Sequence, residues 1–107
     1  MLGKTVTVTI DRPLGSRHPH YTGLIYPINY GYIEGILAPD GEGQDAYVLG
    51  VDIPIERFTG VVIAIVHRLN DVEDKWIVAG EGMNFSKEEI ENAIIFQEKY
   101  FEYEIIM

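Results

Sequence analysis

Cysteine is absent from the 107 residues, which excludes a disulfide framework and any thiolate metal site. Basic residues are scarce: 8 Lys and Arg stand against 17 Asp and Glu, a formal net charge of -9. Such a balance repels nucleic-acid phosphates and anionic lipid, so neither nucleic acid nor a membrane is an expected partner. A phosphate ligand must bring its own cation or meet a local basic cluster. No apolar run reaches the ~18 residues of a membrane span, and the N-terminal MLGKTVTVTI alternates Val and Ile with Thr where a signal peptide is continuously apolar. Spanning and export are therefore not expected, and a cytoplasmic location is the default. Repeats, linkers and low-complexity tracts are also missing. With 47% of residues apolar, a chain this short builds a single domain, 1–107, around a hydrophobic core.

Strand signals dominate what is present. Lys4 to Asp11 (KTVTVTID) alternates with period two and predicts a half-buried strand ending at Arg12-Pro13. Leu14 to Gly23 contains Gly15, Pro19 and Gly23 with few apolar residues and reads as a loop, one that concentrates Arg17, His18 and His20. Tyr26 to Leu37 is aromatic-rich and interrupted by Gly31 and Gly35, as in strands that bend. Ala46 to Val51, Gly60 to Arg68 and Lys75 to Ala79 are further strands, the second continuously apolar and so central. Ser86-Lys87-Glu88-Glu89 is a capping box that opens a helix through about Phe101, with Ile90, Ala93, Ile94 and Gln97 on one face. Evenly spaced strands with one late helix predict a mainly β fold, a small closed barrel packed on one side by that helix.

Two acidic groups carry the candidate chemistry. Asp40-Gly41-Glu42-Gly43-Gln44-Asp45 gathers carboxylates around glycines that let the backbone turn tightly, an arrangement of hard oxygen ligands suited to Mg²⁺ or Mn²⁺. Asp71, Glu73 and Asp74 with Lys75 follow the apolar strand. Taken singly, each group is more commonly a solvated turn between strands. Together they offer two adjacent metals that activate a water and neutralise phosphate oxygens. His18 and His20, two apart, would point the same way and bind a metal or phosphate, although exposed loop histidines commonly do neither.

The phrase Tyr26-Pro27-Ile28-Asn29-Tyr30-Gly31-Tyr32-Ile33, followed by Asp40, Glu42 and Asp45, resembles the soluble family I inorganic pyrophosphatases. The resemblance runs from about Val6 to Ala79 and more weakly into the helix. It implies a five-stranded barrel of the oligonucleotide-binding type and Mg²⁺-dependent hydrolysis of pyrophosphate. In the family pattern D-x-D-P-x-D, Asp40 and Asp45 match, while Glu42 and Gly43 replace the middle Asp and the Pro. The second acidic pair and its lysine fall on Asp71 or Asn70, Glu73 and Lys75, with this loop two residues shorter. The resemblance thus assigns Asp40, Glu42, Asp45, Asp71 and Glu73 to metal. Glu42 is alternatively the base that orients water, Lys75 neutralises phosphate, and Tyr30 matches the active-site tyrosine. Arg17 and Tyr100 join Tyr30 and Lys75 in binding substrate, Tyr100 matching a helix tyrosine that contacts phosphate.

Several family cations are missing. Pro19 and Tyr21 stand where a lysine and a glutamate are expected, Phe101 where a lysine follows Tyr100, and a hairpin bearing an arginine is absent between Tyr21 and Tyr26. Arg17, His18, His20, His67 and Arg68 are the candidate replacements. Two other readings stay open: a non-catalytic module that binds an anion, a metal or a partner protein, and a hydrolase of another, larger diphosphate admitted by the lost hairpin. Tyr26, Tyr30, Tyr32 and Tyr47 would suit a nucleic-acid stacking platform, but no basic stripe accompanies them. Trp76, Phe85 and Phe96 read as core. The apolar stretches Gly60 to Val66 and Ile105-Ile106-Met107 predict a homo-oligomer.

Overall fold

The computed structural model describes every residue except Thr22, Asp71 and Val72. Its strands are β1 (Thr5–Arg12), β2 (Asn29–Leu37), β3 (Gly43–Val48), β4 (Arg57–Arg68), β5 (Asp74–Ala79) and β6 (Tyr103–Ile106), with helix α1 (Lys87–Glu98) between β5 and β6. The hydrogen-bonded order β1-β2-β3-β5-β4 is closed by pairing of β1 with β4, so five strands form a barrel, and β6 adds to β4 outside it. All neighbours are antiparallel except β3 and β5. No helix among the described residues is long and apolar enough to cross a membrane.

Period-two alternation sends every second side chain inward. Val6, Val8, Ile10, Ile33, Ala46, Val48, Val62, Trp76 and Val78, drawn from all five strands, fill the interior. The outer face of β2 to β5 is also buried, because α1 and β6 cover it: Tyr26, Tyr30, Tyr47, Leu49, Ala64, Val66 and Ile77 pack there with Ile90, Ile94 and Ile105. β4 serves both cores through a bulge between Val62 and Ala64. The bulge reverses the faces, so Val62 points in while Ala64, Val66 and Arg68 point to the helix.

The Tyr26 to Ile33 phrase has a structural reason as well as a functional one. Asn29 is fully buried; its Oδ1 accepts from the N–H of Leu14 (2.9 Å) and Ile55 (3.3 Å), and its Nδ2 donates to Ile53 O (2.9 Å), so one side chain ties two loops to β2. Gly31 sits so close to β1 that a Cβ there would lie 1.9 Å from Thr9 O.

The capping box is as expected: Ser86 Oγ accepts from Glu89 N–H at 3.1 Å and Ser86 N–H donates to Glu89 Oε1 at 2.8 Å. The helix stops at Glu98, short of the expected Phe101, because the N–H groups of Lys99, Tyr100 and Phe101 turn back onto Ile95, Gln97 and Glu98. β6 was not expected at all. Its Ile105 is buried in the seam with Ala64 and Val66, and Val62 is buried in the interior, which leaves Ile106 and Met107 exposed from the stretches expected to drive self-association. Tyr26, Tyr30 and Tyr47 are likewise buried, and of the four tyrosines only Tyr32 is open to stacking.

Candidate active site

Strand register assembles the site. Tyr32 pairs with Asp45 and Tyr30 with Tyr47 across β2 and β3, while the parallel β3–β5 pairing sets Tyr47 beside Ile77. Alternation from those pairs places Tyr30, Asp45 and Lys75 on the helix-covered face, at one end of the sheet. Lys75 Nζ donates to Tyr30 Oη at 3.0 Å, to Asp45 Oδ2 at 2.5 Å and to Glu73 Oε2 at 3.2 Å. Only 5% of the lysine side chain is exposed, whereas Asp45 and Glu73 keep 34% and 36%. A buried ammonium is costly unless oxygens surround it, and three do so here. Burial first, then the charge of Asp45, pushes the Tyr30 hydroxyl far above its ordinary range, so it keeps its proton.

The acidic turn stands beside this cluster. Asp40 Oδ1 accepts from Glu42 N–H at 3.0 Å, and Gly41 takes φ 86°, so Asp40 braces the turn. Glu42 and Asp45 line an open cavity of about 490 Å³ together with Asp11. Partial loss of water raises the Asp11 carboxyl; Arg12 opposes the rise and the charge of Asp45 adds to it. Among the described residues, no group of three or more His, Asp or Glu is already gathered around a metal position.

The structure thus brings together Tyr30, Asp45, Glu73 and Lys75, with Glu42 on the cavity that Asp45 also lines. Asp40 stays in the turn. Arg17 forms a bridge with Ile25 in the loop before β2, and Tyr100, 67% exposed beyond the helix end, lines a different cavity. Asp71 lies outside the described residues.

Two candidate replacement cations serve other purposes. Arg68 is buried, with Nε and Nη2 donating to the two oxygens of Glu98 at 2.9 and 2.8 Å and its guanidinium 3.7 Å from the Phe101 ring centre. His67 lies on the opposite face of β4 and pairs with Asp74 at 2.7 Å. His18 Nδ1 accepts from the N–H groups of His20 and Tyr21 at 3.1 and 3.2 Å, which leaves the ring proton on Nε2. Burial, then the charges of Arg12 and His20, depress its protonation.

Behind the cluster runs a buried polar chain that the sequence reading missed. Arg12 Nη1 donates to Tyr26 Oη (3.1 Å), which donates to Gln97 Oε1 (3.0 Å); Gln97 Nε2 donates to Tyr47 Oη (2.7 Å), which donates to Glu98 Oε2 (2.7 Å). Arg68 joins Glu98 to Glu73 through Nη1 at 3.4 Å, and Glu73 is already a partner of Lys75. Glu98 follows Ile90 and Ile94 at spacings of four, so its inward phase was present in the sequence. Its partner Arg68 was hidden by the β4 bulge.

No protein-family model matches the chain. The inorganic pyrophosphatase of Corynebacterium glutamicum is 31% identical over 74 residues, covering 55% of this chain and 45% of that protein. That of Corynebacterium efficiens is 30% identical with the same coverage. The chain spans about half the length of these curated relatives. Among solved structures, the inorganic pyrophosphatase of Ehrlichia chaffeensis superposes with TM-score 0.74 at 17% identity, over 97% of this chain and 85% of that one. The Neisseria gonorrhoeae enzyme does so with TM-score 0.69 at 18% identity, over 92% and 74%. The chain resembles inorganic pyrophosphatases in sequence and has their fold: a closed five-stranded mixed barrel with one helix near the C-terminus.

Proposed function

We propose that the chain hydrolyses pyrophosphate to two phosphates with a divalent cation, Mg²⁺ or Mn²⁺. The observation that carries this reading is the Tyr30, Asp45, Glu73 and Lys75 cluster beside a cavity lined by carboxylates. Its support is the likeness to proteins named inorganic pyrophosphatase over 55% of the chain.

The donor set fits a hard cation. Asp40, Glu42, Asp45, Asp71 and Glu73 offer only oxygen, and Glu42 and Asp45 line one open cavity together with Asp11. When bound, the metal neutralises phosphate oxygens and makes a water a better nucleophile at neutral pH. The protein's own groups do the rest. With Asp45 engaged by a cation, Lys75 has a donor for a phosphate oxygen, and it stays anchored by Glu73 and Tyr30. The protonated Tyr30 hydroxyl donates a second hydrogen bond. Glu42, on the cavity wall, orients the water and accepts its proton as oxygen adds to phosphorus and the bridging P–O bond breaks.

Purified protein should release phosphate from pyrophosphate with Mg²⁺ or Mn²⁺ and not without, and Asp45→Asn should lower the rate by about 10²-fold or more, as removal of a charged group from such a site does. No release above the metal-free blank, or a rate indifferent to Asp45→Asn, overturns the proposal.

A further inference from the structure

Asp74 and His67, which the sequence offered for the acidic site and its missing cations, meet instead on the reverse face of the sheet. Lys75 faces α1, so its neighbour Asp74 points the other way, to the face it shares with Trp76 and Val78. His67 lies opposite Asp74 across β4 and β5. Its ring Nδ1 is 2.7 Å from Asp74 Oδ1, with 42% and 39% of the two side chains exposed. On its other flank β6 sets Glu104. One imidazole thus stands between a carboxylate of β5 and one of β6.

Asp74 is held at a second atom. Its carbonyl oxygen accepts from Nε2 of the buried Gln44 at 2.8 Å, and the same nitrogen donates to the carbonyl of Asp45 at 3.1 Å. The paired register of β3 and β5 begins at Ala46 and Trp76, so this amide ties the two strands just before their ladder starts. The backbone under Asp45, Glu73 and Lys75 is therefore clamped from the reverse face, by Gln44 on one side and His67 on the other. None of the clamp residues lines the acidic cavity. A pair as exposed as His67 and Asp74 contributes little to overall stability. Its consequence is local, because a misplacement of about 1 Å in a reacting group costs up to about 10²-fold in rate.

We infer that His67 is a positioning residue for the candidate site: through Asp74 it holds the start of β5 from the reverse face, and with it the reach of Lys75 toward Asp45 and substrate. This rests on the proposed function for the use made of Lys75 and not for the clamp itself. The clamp depends on a proton. The hydrogen bond to Asp74 raises the His67 value above the ordinary 6.5; loss of water opposes the rise, and the charges of Asp74 and Glu104 add to it. The charged pair is therefore complete below about 6.5 and is lost as pH rises through the higher folded value.

NMR titration of the full chain in metal-free buffer should give His67 a midpoint above 6.5, which Asp74→Asn returns toward 6.5. The amide signals of Asp45 and Lys75 should titrate with the same midpoint and stop doing so in His67→Gln. In pyrophosphate hydrolysis with Mg²⁺, His67→Gln keeps a neutral hydrogen-bond donor and so imitates the deprotonated ring. Its kcat/KM should be about fivefold or more below the parent at pH values under the midpoint, and equal to it about two pH units above. Both side chains are partly exposed, so the variants should fold, and urea midpoints should move little. A loss of kcat/KM of the same size at every pH, or none at any pH, overturns the inference, as do Asp45 and Lys75 amides that ignore the His67 midpoint. If the parent releases no phosphate, the proposed function fails and the amide signals decide the clamp: titration with His67 upholds it and its absence overturns it. Phosphate release that Asp45→Asn abolishes, with no dependence on His67, upholds the proposed function and overturns the clamp.

Discussion

The barrel interior and the seam beneath α1 are two faces of the same strands, yet they hold opposite chemistry. The interior is aliphatic apart from Trp76. The seam holds Tyr26, Tyr30 and Tyr47, and through it runs the hydrogen-bonded chain from Arg12 to Lys75. A barrel with one face buried has nowhere to keep such a chain, because the interior admits polar groups only at a high cost. Covering the second face with a helix makes a dry place for Arg68 and Glu98, whose far end reaches Glu73 and the site.

Breaking that chain at its most buried link should produce the largest effect. Glu98 is fully buried and Arg68 nearly so, and Glu98→Ala leaves the guanidinium without its fork of oxygens. A loss of about 3–5 kcal/mol is expected in urea unfolding. The same pair fixes an acid limit. Burial raises the Glu98 carboxyl, but Arg68 and Tyr47 outweigh it and hold it below its ordinary value of 4.5. The folded state therefore binds the proton less tightly than the unfolded chain. This stability is fully present above about 4.5 and is lost as pH falls through the lower folded value. Unfolding midpoints measured from pH 7 to 3 should fall at the acid end, and Glu98→Gln should flatten that fall. A Glu98→Ala protein as stable as the parent would show that the seam is held by its aromatics alone.

The contrast also explains what was legible beforehand. Val6, Val8 and Ile10 announce the interior by strict alternation, and Ser86 and Glu89 announce the helix, because both signals are local. The seam depends on a bulge at one point of β4, which no residue between Gly60 and Arg68 marks, and on β6, which reads as a short apolar tail until it pairs with β4. In the site, the turn with Asp45 and the group with Glu73 and Lys75 stood out as clusters of carboxylates, and the phrase from Tyr26 to Ile33 tied them to one chemistry. That Lys75 is wrapped by Tyr30, Asp45 and Glu73 follows from the parallel β3–β5 pairing, a contact between distant segments that composition does not encode. Asp11 enters the acidic cavity where the β1–β2 register shifts between Ile10 and Arg12, which is equally invisible in the chain.

Gly31 joins the two faces, since it precedes Tyr32 and follows Tyr30 at the closest approach of β2 to β1. Gly31→Ala should destabilise by about 1–3 kcal/mol, the usual cost of forcing atoms into packed space, because the obstacle is the Thr9 backbone and not a movable side chain. Any β2 shift that relieves the clash carries Tyr30 away from Lys75. Pyrophosphate hydrolysis should therefore fall more steeply than stability in this variant. Equal stability of Gly31→Ala and parent would mean that β1 and β2 separate freely, contrary to the register seen here.

The smallest effect should come from the interior itself. Ile10 is buried among aliphatic side chains of the inner core, and Ile10→Val removes one methylene group while keeping the β-branch that suits a strand. Its cost should be about 0.5–1.5 kcal/mol, read as a shift of the urea midpoint at constant slope. The rate of phosphate release at saturating substrate should not change, because no polar link connects the Ile10 side chain to Lys75 or Glu42. If Ile10→Val did lower that rate while stability moved only this little, the interior would be shaping the acidic cavity through Asp11, the next residue in β1. The division between a dry core that holds the barrel and a polar seam that holds the site would then give way to one coupled wall.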